Sequence, residues 1–192
     1  MHTADLLKVF ARHRGDAIVI SGRGGRHWIE ISDTTLDVPL GDPAMGGHSG
    51  FGLGLALAQP GRKVILFDSE GDILMSMGQL ATIAEQAPAN FYHFILDNEV
   101  YATTGGQPVP NAKNVDYAMI ARGAGYPRAF NFSELDAVSA ELPGILKAPG
   151  PVFVALKVWP EVENTPIGQR VRWRKRSSDK VVRDLREALG AE

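Results

Sequence analysis

The residues best placed to do chemistry lie between Asp68 and Gln107. Asp68, Glu70 and Asp72 follow the apolar run Lys63-Val64-Ile65-Leu66-Phe67, and Asp97 and Asn98 follow a second run, Phe91-Tyr92-His93-Phe94-Ile95-Leu96. The spacing from Glu70 to Asn98 is that of a single βαβ crossover, which sets two loops side by side. A carboxylate oxygen and an amide oxygen placed there suit a hard cation such as Mg2+, which keeps waters and takes further ligands from a phosphate. Gly71 allows backbone N–H groups to approach a diphosphate closely where a helix begins. The plainer alternative makes Glu70 and Asp72 solvated turn residues that cap that helix.

Positioning such loops requires strands that end at a common edge. Ala17-Ile18-Val19-Ile20 is a short β-branched run leading into Ser21-Gly22-Arg23-Gly24-Gly25-Arg26, the pattern of a buried parallel strand entering a loop. Lys63–Phe67, Phe91–Leu96 and Val152–Leu156 repeat it. Helical patterns lie around and between them: Thr3–Arg14 with Thr3 as its expected N-cap, the glycine-rich Gly50–Gln59, the amphipathic Met75–Gln86, Tyr117–Ala124, and Ser133–Lys147 with Pro143-Gly144 as a candidate interruption. This alternation predicts an α/β fold, a mostly parallel sheet with helices on both faces. Right-handed crossovers then carry every polar loop just named to the carboxyl edge, where ligands of such sheets bind.

Composition narrows the function. The 192 residues include 20 Lys and Arg against 22 Asp and Glu, a formal net charge of -2, so the chain is no polycation seeking nucleic acid or an anionic membrane. The absence of cysteine excludes disulfides, thiolate metal sites and a cysteine nucleophile. No apolar stretch approaches a bilayer span and the first residues lack a signal-peptide core, which predicts a cytoplasmic protein. With no repeat or linker, residues 1–192 are expected to form one domain with a basic C-terminal extension from about residue 165, within which Arg170, Arg172, Arg174, Lys175 and Arg176 cluster. A solvated face or docking arm is the expected role of that cluster.

Taken together, the motifs resemble those of the diphosphate-binding domain of thiamine diphosphate-dependent decarboxylases, and among these most closely phosphonopyruvate decarboxylase and the β subunit of sulfopyruvate decarboxylase. Ser69-Glu70-Gly71 stands in register with the family's Gly-Asp-Gly, and Leu96-Asp97-Asn98 with its later Asp-Asn or Asn-Asn. Leu74-Met75-Ser76-Met77-Gly78, Thr104-Gly105-Gly106-Gln107-Pro108, Ala44-Met45-Gly46 and Gly54-Leu55-Ala56 match further segments, so that the resemblance covers Asp16 to Val158. It implies thiamine diphosphate and Mg2+ as cofactors. Glu70 and the Asn98 side chain would bind Mg2+, with the Val100 carbonyl as a third ligand. Gly71 would face the diphosphate, with Asp72 and Gly46 close by. Met45 would prop the cofactor into its bent form, making it the residue nearest the chemistry, and the Pro43 carbonyl would accept from the aminopyrimidine. Gly22 and Arg26 would lie in the loop near the site's mouth. Arg26 suits a short anionic 2-oxo acid through its planar fork.

Two positions depart from the family pattern. Glu70 replaces Asp, displacing the carboxylate by about 1.5 Å, one C–C bond, at a metal that is strict about geometry. Asp72 stands where relatives carry a small or hydroxyl residue, and its charge repels a diphosphate unless it turns away or joins the metal shell. The family builds its site together with a pyrimidine-binding domain, so the resemblance implies a separate α subunit as partner, a homodimer when alone and a heterotetramer or larger with that partner. The alternatives are a related carboligase, or a non-catalytic subunit that has lost its metal site. Of the histidines, His93 reads as a satisfied core residue, while His27 and His48 read as loop-surface residues able at most to shuttle a proton.

Overall fold

The computed structural model describes residues 1–40 and 45–191, without the side chain of residue 167. In chain order the elements are α1 (Thr3–Ala11), β1 (Ile18–Ser21), α2 (Trp28–Ile31), β2 (Asp37–Pro39), α3 (His48–Ala58), β3 (Val64–Ser69), α4 (Glu70–Met75), α5 (Gly78–Gln86), β4 (Phe91–Asp97), β5 (Val100–Tyr101), β6 (Gln107–Pro108), α6 (Tyr117–Gly123), β7 (Arg128–Phe132), α7 (Leu135–Lys147), β8 (Val152–Lys157) and α8 (Ser178–Ala188).

Six strands form one sheet in the order β2-β1-β3-β4-β8-β7, every neighbouring pair parallel. Continuous apolar runs make this possible: successive side chains point to opposite faces, so a strand buried on both faces must be apolar throughout. Ile18, Ile20, Leu66, Ile95 and Phe153 face one core, packed against α3, α5, α6 and α8 through Ala56, Ile83, Ala118 and Val181. Val19, Ile65, Phe94, Val154 and Leu156 face the other, packed against α1, α2 and α7 through Phe10, Trp28 and Leu142. Helices therefore cover both faces, as the alternation of runs predicts.

Several elements differ from expectation. β2 and β7 extend the sheet at its two edges. A two-stranded antiparallel ribbon, β5 with β6, follows Asn98. The helix read over Met75–Gln86 is α5, which starts only at Gly78; Met75 closes a separate helix, α4, that begins directly at Glu70 and is capped by Ser76, whose backbone leaves the helical region. Thr3 is buried inside α1, and His2 takes the cap position without a side-chain hydrogen bond. Pro143 sits within a continuous α7.

Two features fix the site's surroundings. A Cβ at Gly52 would stand 2.7 Å from the Phe91 ring, so this glycine lets α3 lie directly on the sheet. The basic tail folds back: Lys175 donates to the Ile29 carbonyl, and Arg176 donates to Asp33 and to the Thr34 and Asp37 carbonyls. These contacts hold α8 on β2, where Val181 and Leu185 enter the core.

Candidate cofactor site

The strand order dictates where a ligand can enter. From β1 the chain crosses to β2 on one side; from β3 it crosses to β4 on the other. The loops after β1 and β3 thus part at their carboxyl ends and open a crevice, the topological switch point of the sheet. A cleft lies there. Arg23, Gly24 and Arg26 enter it from the β1 loop, Ser69 to Asp72 from the end of β3 and the start of α4, and Asn98 and Val100 from beyond β4. Met45 stands at its edge, half exposed.

Seven of the nominated residues therefore line one cleft: Arg26, Met45, Glu70, Gly71, Asp72, Asn98 and Val100. Gly46 adjoins it, its N–H donating to Asp72 Oδ1 at 2.7 Å. Gly22 lies behind it, where an added Cβ would meet His48 Cε1 at 3.2 Å. Pro43 lies outside the described residues.

Glu70 is the most informative of them. The first residue of α4, it is 1% exposed, and neither carboxylate oxygen has a hydrogen-bond partner among the described residues. Burial, reinforced by the negative charge of Asp97, pushes its carboxyl up to about 8. The backbone N–H groups of Glu70 and Asn98 offset this in part, without reaching hydrogen-bond geometry. Native proteins rarely leave a buried carboxylate unsatisfied, because its desolvation is costly. A divalent cation in the cleft would satisfy it. Asn98 could offer such a cation a second oxygen: its Oδ1 accepts from the Val100 N–H at 2.9 Å, which fixes the amide and leaves one lone pair of that oxygen free. Beside it Asp97 pairs with Lys157 at 2.9 Å, and Lys157 reaches Glu99 at 2.6 Å. The residues present fit a magnesium ion.

Asp72 is engaged within the chain. Its Oδ2 accepts from Ser69 Oγ at 2.8 Å and faces His48 Nδ1 at 3.5 Å. Ser69 in turn caps α4 by accepting from the Asp72 N–H. Arg26 is paired as well, donating to Glu161 at 2.8 Å, and His27 Nε2 meets the same carboxylate at 2.7 Å.

His48 is not on the loop surface. It opens α3, is 3% exposed, and belongs to a buried polar chain. Its Nδ1 lies 3.3 Å from Asp68 Oδ1; Asp68 Oδ2 lies 3.3 Å from His93 Nε2; His93 Nδ1 lies 3.3 Å from the Tyr126 hydroxyl. Burial disfavours the His48 imidazolium, but hydrogen bonds and charge from Asp68 and Asp72 outweigh it and raise its pKa to about 10. Burial likewise works against the Asp68 anion, yet the two imidazoles hold its carboxyl well below the usual range. His93 is the satisfied core histidine that its apolar strand predicts. Asp68 was missed as a partner. Its signal was an acidic residue continuing a wholly apolar strand, a position where a charge must be paired.

Comparison with known proteins shows the family of the chain. The model of the family described as "Thiamine pyrophosphate enzyme, C-terminal TPP binding domain" matches residues 23–156. The chain belongs to this thiamine pyrophosphate enzyme family. It is similar to the phosphonopyruvate decarboxylase of Streptomyces viridochromogenes, at 35% identity over 82% of this chain and 39% of that protein. It is also similar to the sulfopyruvate decarboxylase subunit beta of Methanococcus maripaludis, at 32% identity over 84% of this chain and 86% of the relative. The corresponding subunit of Methanothermobacter thermautotrophicus is 38% identical over 65% and 63% of the two chains. This thiamine pyrophosphate enzyme domain thus spans about two fifths of the Streptomyces relative and most of the Methanococcus one. The X-ray structure of a Mycobacterium smegmatis protein described as a thiamin diphosphate-dependent enzyme shares the fold, with a TM-score of 0.67 at 19% identity, covering 83% of this chain and 32% of that one.

Proposed function

We propose that this chain is the β subunit of a two-subunit, thiamine diphosphate- and Mg2+-dependent decarboxylase of a short anionic 2-oxo acid. The buried Glu70 carboxylate, which lines the switch-point crevice and has no hydrogen-bond partner among the described residues, carries the reading. In it Glu70, Asn98 and the Val100 carbonyl hold Mg2+, and Gly71 faces the diphosphate. Met45 would stand against the cofactor from the cleft's edge, with Pro43 and Gly46 close to it in sequence. Bound there, the cofactor supplies the electron sink for loss of carbon dioxide. The protein's share is to hold the diphosphate end through the cation, to fix the cofactor's bend and to keep water out.

Two of the relatives are named for acids bearing a phosphonate or sulfonate, which supports an anionic substrate. Arg26 fits such a group, and Glu161 and His27 hold it at the cleft's rim. A partner is supported by the relatives named as beta subunits and by the apolar side chains beside the cleft. Met45, Phe51, Met75 and Met77 are 51%, 39%, 48% and 40% exposed, and exposed apolar side chains of this size mark association surfaces when they are contiguous. Among the described residues no helix is long and apolar enough to cross a membrane, and we place the enzyme in the cytoplasm.

The test is turnover by the purified chain with cofactor and Mg2+ saturating, before and after a separate pyrimidine-domain subunit is added. Carbon dioxide should be released only after the addition. Sustained turnover by this chain alone, in a preparation free of any second polypeptide by mass spectrometry, would overturn the two-subunit reading.

A further inference from the structure

We propose that Asp72 is a positioning residue and not a cofactor contact: its carboxylate anchors the Met45–Gly46 turn to the start of α4, and so sets where Met45 stands over the cleft. The purpose assigned to Met45 rests on the function proposed above; the anchoring does not.

Met45 is 51% exposed, so its own packing cannot hold it in place. Its position depends on the backbone that follows. Gly46 is gripped at both polar groups. Its N–H donates to Asp72 Oδ1 at 2.7 Å, and its carbonyl accepts from Gln79 Nε2 at 2.8 Å. Gln79 is itself fixed, its Oε1 accepting from Ser49 Oγ at 2.6 Å. The turn has no slack: Gly46 takes a φ of +73°, and a Cβ there would stand 2.4 Å from Ser76 Oγ.

Asp72 can act as an anchor because both its oxygens are committed. Oδ1 holds Gly46, and Oδ2 holds Ser69 Oγ while facing the His48 imidazole. Facing the cofactor unpartnered, the same charge would repel a diphosphate. Behind it Asp68 holds His48 on the buried end of β3, so the carboxylate inherits its orientation from the sheet. One side chain thereby links the Met45 turn to the end of β3, next to Glu70.

Hydrogen exchange at the Gly46 amide of the full chain tests the anchoring without cofactor or partner. Asp72→Ala should accelerate that exchange by about ten-fold or more, the loss of one hydrogen bond to a charged acceptor. Asp72→Asn, whose amide oxygen still accepts, should retain most of the protection. Unchanged exchange in Asp72→Ala would overturn the proposal. In the complex with partner, thiamine diphosphate and Mg2+, Asp72→Ala should lower kcat at saturating cofactor by about ten-fold and leave cofactor affinity near that of the unchanged protein, with Asp72→Asn restoring kcat. Gln79→Leu, which frees the Gly46 carbonyl, should give the same split and serves if Asp72→Ala does not fold. Cofactor affinity lost while kcat recovers at saturation would make Asp72 a cofactor contact, contradicting the proposal. An inactive unmodified complex, with exchange still accelerated in Asp72→Ala, would uphold the anchoring and sink the decarboxylase reading instead.

Discussion

Replacing Glu70 by Gln should stabilise the metal-free protein, and by an amount that depends on pH. The Glu70 carboxyl has an ordinary value of 4.5 and is pushed up to about 8 in the fold. Below 4.5 it is protonated in both folded and unfolded chains, so the two variants should then be equally stable. As pH rises from 4.5 towards 8 the unfolded chain loses its proton while the folded one keeps it, and the native protein is progressively destabilised. At about 1.4 kcal/mol per pH unit, the interval from 4.5 to 7 comes to about 3 kcal/mol, and above pH 8 the cost levels off at about 5 kcal/mol. Glutamine cannot ionise and escapes this cost. Urea unfolding of both proteins in a chelator at pH 4, 7 and 9 measures it, and their difference cancels the titrating groups that do not interact with Glu70. Glu70→Gln should match the native protein at pH 4 and exceed it increasingly at pH 7 and 9. A difference independent of pH, or a variant less stable at pH 9, would refute the claim that Glu70 is buried without partners among the described residues.

Three further outcomes follow from the packing. Asp37 is 1% exposed and accepts from Trp28 Nε1 at 2.7 Å and the Thr34 N–H at 2.6 Å while pairing with Arg14 at 2.9 Å. Asp37→Ala should cost about 3–5 kcal/mol in denaturant unfolding, as expected for one partner of a buried ion pair. Gly52→Ala should push α3 away from Phe91 and cost about 1–3 kcal/mol by the same assay, whereas Gly54→Ala, with nothing near its added Cβ, should not destabilise. Phe51→Asp, on the exposed side of α3, should leave the melting temperature within a few degrees, roughly the effect of 1 kcal/mol, yet weaken association with the pyrimidine-domain partner in sedimentation velocity.

The centre of the sheet was legible because β1, β3, β4 and β8 are buried on both faces and so appear as unbroken apolar runs. Its edges were not. β2 has three residues, one of them the buried Asp37, and β7 mixes Arg128 and Asn131 with Phe130 and Phe132, as an edge strand can. The break between α4 and α5 turns on the backbone of Ser76, which no periodicity announces. Local spacing brought Glu70 and Asn98 together, since one crossover separates them. It could not bring His48, Asp68, His93 and Tyr126 together, because those contacts run between α3, two neighbouring strands and the turn after α6, and depend on sheet order. For the same reason the partners of Asp72 and Arg26 were invisible: Gly46 and Glu161 lie 26 and 135 residues away.

The central claim, that Glu70 and the Asn98 loop form a magnesium site for the diphosphate end of the cofactor, is tested most directly by calorimetry of thiamine diphosphate binding to the assembled complex, with Mg2+ and with a chelator, for the native protein and for Glu70→Gln. Binding should require Mg2+ in the native complex and be lost in Glu70→Gln. At pH 7 that binding should release close to one proton, because a carboxyl with a pKa of about 8 must ionise to ligate the metal. Equal affinity with and without Mg2+, or full Mg2+-dependent binding by Glu70→Gln, would contradict it.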